Sequence, residues 1–139
     1  MNSETDRGRM PCRQRVLVVD DDVNLLAVYE DFLSNAGFYV EVCDDGYAAL
    51  RRIKKYDFDI VILDLMMPNC SGFEVLLQLQ RQEGPKPAVI VITGVYKDPV
   101  TVERIRREPV VVDFFFKPCR PSVLVEAMRR AVSAALPLP

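Results

Sequence analysis

Short, continuously apolar runs alternate along this chain with longer stretches in which apolar residues recur at helical spacing. The runs are Arg15 to Asp20, Tyr39 to Cys43, Ile60 to Leu63, Ala88 to Thr93 and Val110 to Phe116, and each reads as a strand. Ile60 to Leu63 has no polar position at all, as expected for a central strand covered on both faces. The first helix opens with Asp22 or Asn24 as N-cap and ends at Gly37. Its inward stripe is expected to be Leu25, Tyr29, Phe32, Leu33 and Ala36. Asp44-Asp45-Gly46 leads into a second helix, Tyr47 to Lys55, with Ala48, Ala49 and Ile53 inward and Arg51, Arg52, Lys54 and Lys55 in water. A third, Phe73 to Gln82, is broken by Gly84-Pro85-Lys86-Pro87. The fourth has the shortest pattern, opening on Asp98 and Pro99 and stopping at Pro109. The last starts near Pro121 and turns Leu124, Met128, Ala131, Val132 and Ala135 inward. Strand–helix alternation of this kind predicts a single doubly wound α/β domain, a parallel sheet with right-handed crossovers and helices on both faces.

In such a sheet the carboxyl ends of the strands share one rim. Asp20 and Asp21 end the first run, Asp64 the third, Thr93 the fourth and Lys117 the fifth, so their side chains are expected to converge. Grouped carboxylates raise one another's pKa unless a cation and a lysine neutralise them. Magnesium prefers oxygen ligands in octahedral array and takes one or two carboxylates plus phosphate oxygens, with manganese as an alternative. The pattern therefore points to a magnesium-dependent phosphoryl acceptor. Asp21 and Asp64 suit direct ligation, Asp20 acts through a water, and a backbone carbonyl just after Asp64 completes the set. The Asp64 carboxylate is the candidate nucleophile, giving an acyl phosphate, while Thr93 and Lys117 bind phosphoryl oxygens.

Composition narrows the alternatives. A chain of 139 residues, half of them hydrophobic, is one globular domain by size. It contains no histidine, which excludes Ser-His-Asp and Cys-His catalysis. Cys12, Cys43, Cys70 and Cys119 are widely spaced without a CxxC pair, so a reduced cytoplasmic chain is expected rather than a disulfide or zinc framework. A net charge of −2 gives no reason to expect a direct nucleic-acid or membrane partner. No apolar stretch approaches the ~20 residues needed to span a bilayer.

Four segments in order, Val18-Val19-Asp20-Asp21-Asp22, Asp64-Leu65-Met66-Met67-Pro68-Asn69-Cys70-Ser71-Gly72, Ile92-Thr93-Gly94 and Phe116-Lys117-Pro118, give the chain its likeness. It resembles the receiver domain of bacterial two-component response regulators over residues 14–136. Residues 1–13 are expected to be a disordered lead-in and 137–139 a tail or the start of a linker. The resemblance implies a flavodoxin-like (βα)5 fold with strand order 2-1-3-4-5. It implies that Asp64 takes a phosphoryl group from a histidine kinase or histidine phosphotransfer protein. Asp20, Asp21, Asp64 and the Met66 backbone carbonyl would hold magnesium. Thr93 and Lys117 would contact the phosphoryl group, and Gly94 would leave room for it. The Lys117–Pro118 peptide would be cis. Thr93 and Phe114 would form the switch that alters the surface of the fourth helix, fifth strand and fifth helix. An output partner, an output domain or a second copy of the chain would read that surface. Met66 and Val95 stand where the family tunes dephosphorylation; both are apolar, so a long-lived acyl phosphate is expected. Such a chain catalyses at most its own phosphorylation and dephosphorylation.

The chain departs from the family pattern at Pro109-Val110-Val111, where a small Gly-containing pair is usual, and at Cys119 and Arg120. Three other readings compete. A haloacid-dehalogenase-like phosphatase needs a DxDx[TV] nucleophile motif, which Asp20-Asp21-Asp22-Val23-Asn24 fails at its last place. A flavin-binding module needs a Ser/Thr/Gly-rich phosphate loop where Asp20-Asp21-Asp22 would repel the phosphate. A receiver that binds partners without phosphorylation would not need the intact acidic set.

Overall fold

Five parallel strands pair in the order β2-β1-β3-β4-β5 in the computed structural model, which describes residues 13–67, 70–94 and 98–135. In chain order the elements are β1 (Arg15–Val19), α1 (Val23–Asn35), β2 (Tyr39–Cys43), α2 (Gly46–Lys55), β3 (Ile60–Leu63), α3 (Gly72–Arg81), β4 (Ala88–Thr93), α4 (Pro99–Arg106), β5 (Val111–Phe116) and α5 (Pro121–Ala135). Val95, residues 1–12 of the expected lead-in, residues 136–139 and the side chain of Ala135 lie outside the described residues.

The continuous apolar runs are explained by two separate cores. Leu17, Val19, Val61, Leu63, Val89 and Val91 face one side of the sheet, against Ala49 and Ile53 of α2, Val75 and Leu79 of α3 and Ile105 of α4. Val16, Val18, Ile60, Ile62, Ile90 and Ile92 face the other, against Leu26, Tyr29 and Leu33 of α1 and Leu124 and Met128 of α5. A strand covered on both faces has no polar side to display, which is why alternation disappears in β3.

Caps set the helix starts. Asp22 accepts from the Asn24 and Leu25 N–H groups, which makes it the α1 cap rather than Asn24. Asp45 accepts from Tyr47 N–H, Ser71 from Glu74 N–H and Asp98 from Val100 N–H. Gly37 takes a φ of 105° after α1, a conformation open to glycine at no steric cost.

One sequence expectation needs correction. Phe32 is 42% exposed, and Leu26 takes the central inward place on α1. Leu26, Tyr29 and Leu33 define the buried meridian at a helical period, which leaves Phe32 on its flank. The fifth strand is interrupted by a register shift: Val89 pairs with Val111 but Ile90 pairs with Asp113. Val112 is the extra residue, a β-bulge, and it points into solvent.

Candidate functional site

The strand order brings the ends of β1, β3, β4 and β5 side by side, and the acidic and basic residues that follow them meet. Asp20, Asp21 and Asp64 each offer a carboxylate oxygen within 4.8 Å of the other two. Lys117 Nζ lies 2.7 Å from Asp20 Oδ2 and 3.2 Å from Asp64 Oδ2. The second oxygens are held by backbone: Asp22 N–H donates to Asp20 Oδ1 at 2.9 Å, and Met66 N–H to Asp64 Oδ1 at 3.1 Å. Asp20 and Asp64 are buried, whereas Asp21 is exposed at the mouth of the pocket.

Electrostatics follow from this packing. Burial pushes the Asp64 carboxyl above its ordinary pKa and the Asp20 charge adds to that; the Met66 N–H and Lys117 pull the other way. Burial also works against the Lys117 charge, yet its hydrogen bond to Asp20 and the Asp64 charge carry its pKa above the ordinary lysine value. Three carboxylates facing one ammonium leave net negative charge in a partly desolvated cleft. An all-oxygen donor set with that excess fits a hard divalent cation.

Thr93 closes β4 and is fully buried. Lys117 N–H donates to the Thr93 carbonyl at 2.9 Å, tying the two rim positions together. Thr93 Oγ1 has no hydrogen-bond partner among the described residues, a buried hydroxyl with unused bonding capacity. Gly94 is exposed, and a Cβ there would touch the Lys117 Cδ at 3.4 Å. The Lys117–Pro118 peptide is cis. The Met66 side chain is 46% exposed while its N–H holds Asp64. Phe114 is buried in the core with Val91, its ring edge-on to Phe116 at 5.2 Å and under the Arg106 guanidinium at 5.2 Å.

Sequence reasoning missed the contacts that two residues make with the loops around the site. Tyr29, read as a core residue, donates its hydroxyl to the Cys119 carbonyl at 2.9 Å and so anchors the loop after Lys117. Burial, with nearby Cys119 and Asp20, pushes its pKa up to about 12, so it remains a donor throughout the physiological range. Gly46, read as a turn residue, is packed against Cys70 of the loop after Asp64. A glycine placed directly after the capping Asp45 was the available signal.

Comparisons with known proteins agree with this fold. Residues 16–129 match the family described as response regulator receiver domain, and the chain belongs to that family. The DNA-binding response regulator MtrA of Mycobacterium tuberculosis is 36% identical over 117 residues, 84% of this chain and 50% of that protein. The transcriptional regulatory protein FixJ of Bradyrhizobium diazoefficiens is 30% identical over 128 residues, 92% of this chain and 61% of its own length. A signal receiver domain of a Luxo repressor protein from Vibrio parahaemolyticus, solved as a crystal structure, superposes with a TM-score of 0.79 at 26% identity. It covers 88% of this chain and 92% of that one. The chain thus spans about half the length of the MtrA relative it matches. The expectation of no direct nucleic-acid partner is not borne out, since relatives carry DNA binding in their names. No helix among the described residues is long and apolar enough to cross a membrane.

Proposed function

We propose that this receiver accepts a phosphoryl group on Asp64 from a histidine kinase or histidine phosphotransfer protein and relays the event through its α4–β5–α5 surface. The observation that carries this reading is the Asp64 carboxylate itself, buried, held by Met66 N–H and Lys117, and placed beside Asp20 and Asp21. One Asp64 oxygen attacks phosphorus as the bond from phosphorus to the donor histidine nitrogen breaks, and that nitrogen leaves with the electron pair. Positioning and charge neutralisation do most of the work in such a transfer. Asp20, Asp21, Asp64 and the Met66 carbonyl would hold magnesium or manganese, which when bound offsets charge building on the phosphoryl oxygens. Lys117 supplies a fixed positive charge to one phosphoryl oxygen, and the unpartnered Thr93 hydroxyl gains a bond to another.

That new bond draws Thr93 toward the acceptor, and Phe114 on the neighbouring strand repacks into the space it leaves. Phe114 touches both Phe116 and Arg106, so its movement reaches β5 and α4 together. A partner, a second copy of the chain, or a DNA-binding output region of the kind named in its relatives reads the altered surface. The exposed apolar Met66 side chain cannot orient a water for attack, so the acyl phosphate is long-lived. Polar side chains at both Met66 and Val95 are expected to speed its loss, and an unchanged half-life would count against this role.

The test is incubation with magnesium and a small-molecule phosphodonor, read by intact mass. The wild type should gain one phosphoryl group and Asp64→Asn none. A wild type that stays unmodified, or an Asp64→Asn variant that gains the same mass, refutes the assignment.

A further inference from the structure

The loop after Asp64 is gripped by two glycines from different helices. A Cβ at Gly72, the first residue of α3, would fall 2.2 Å from the Asp64 carbonyl oxygen and 2.6 Å from the Leu65 Cα. A Cβ at Gly46, the first residue of α2, would fall 2.3 Å from the Cys70 carbonyl oxygen and 2.9 Å from its Cβ and Sγ. Gly46 does not have a positive φ, so what it provides is space rather than an unusual backbone conformation. The atom it would strike first is backbone, which cannot swing aside as a long side chain does.

Neither party to the Gly46 contact is free to retreat. The α2 helix is capped by Asp45 and pinned by buried Ala49 and Ile53. Cys70 is buried and precedes Ser71, whose hydroxyl caps α3. Gly72 in turn donates its N–H to the Leu65 carbonyl at 3.1 Å and abuts the Asp64 carbonyl. Cys70 stands two residues before Gly72, whose N–H holds the Leu65 carbonyl, so a displacement of Cys70 is passed through Gly72 to the Leu65–Met66 peptide.

We propose that Gly46 is a positioning residue for the acceptor site: by leaving room for Cys70 it sets the loop so that Met66 N–H meets the Asp64 carboxylate. The inference rests on the reading of Asp64 as the acceptor, and it adds a residue on α2 that touches neither phosphoryl group nor cation. Partners that orient a metal ligand typically change affinity about 10-fold or more when altered.

Gly46→Ala is compared with wild type by magnesium titration calorimetry, by the Met66 amide resonance and by the initial rate of phosphodonor labelling. The Met66 amide should shift, magnesium affinity should fall about 10-fold and labelling should slow in parallel. Ile53→Val, on the same helix away from the loop, should lower the melting temperature and leave all three readouts in place. Cys70→Val crowds the same contact from the loop side and should act in the same direction, which keeps the test alive if Gly46→Ala does not fold. An unmoved Met66 amide with magnesium affinity within twofold of wild type overturns the inference. Wild type that binds magnesium but takes no phosphoryl group refutes the acceptor reading alone; a Met66 shift in Gly46→Ala with weakened magnesium binding then still supports the positioning role.

Discussion

Thr93 concentrates the chemistry of the site in a single side chain. Its hydroxyl is fully buried and lacks a partner among the described residues, a state that costs roughly 1–3 kcal/mol when no compensating bond forms. Thr93→Val removes that hydroxyl and keeps the β-branched shape. The unmodified protein should therefore hold its stability or gain up to about 1 kcal/mol in urea unfolding, against the usual direction for a buried substitution. A clear loss of stability would show that the hydroxyl is satisfied in the unphosphorylated chain and would weaken its assignment to the phosphoryl group. Lys117 presents the opposite case, with its ammonium shared between two carboxylates and its pKa raised accordingly.

At the level of elements, the bulge in β5 decides which face of the sheet each phenylalanine takes. Strand side chains alternate strictly, so the extra residue at Val112 reverses the parity between Val111 and the residues after it. Phe114 then aligns with Val91 and joins Val111 on one core, Phe115 aligns with Ile92 on the opposite face, and Phe116, on the face of Phe114 at the end of the strand, is 43% exposed. Phe114→Ala should cost about 3–5 kcal/mol in chemical denaturation, as for other buried Phe truncations. Phe116→Ala should cost under about 1 kcal/mol, as surface changes usually do. Equal losses at the two positions would contradict the burial of Phe114 against the exposure of Phe116. Helix α1 shows a similar effect: its helical period was visible, but the meridian runs through Leu26 rather than Phe32.

For the molecule as a whole, the acidic rim is held together against its own repulsion. Asp21 is the exposed member of the carboxylate group and makes no ion pair among the described residues. Relief of a like-charge contact near a surface is worth roughly 1 kcal/mol, so Asp21→Asn should raise the melting temperature in chelator. Magnesium should raise the wild-type melting temperature by mass action, and that increment should shrink sharply in Asp21→Asn. If magnesium stabilises both proteins equally, the cation binds elsewhere. The two cores, one on each face of the sheet, give the rim a rigid base, because the four strands that end there are fixed by packing on at least one side.

Strand runs, helix caps and the order of elements were all written locally in this chain. A parallel strand buried on both faces must be apolar throughout, and a helix start must supply a short polar side chain, so both leave marks within a few neighbouring residues. For the same reason Asp20, Asp64, Thr93 and Lys117 could be read as rim residues from the ends of their runs alone. What local pattern could not convey were relations between distant segments: the bulge at Val112, the hydroxyl of Tyr29 on the Cys119 carbonyl, and the seat of Cys70 on Gly46. Each of these is set by the distance between backbones from different elements, which exists only after the sheet has closed its order and the helices have packed against it.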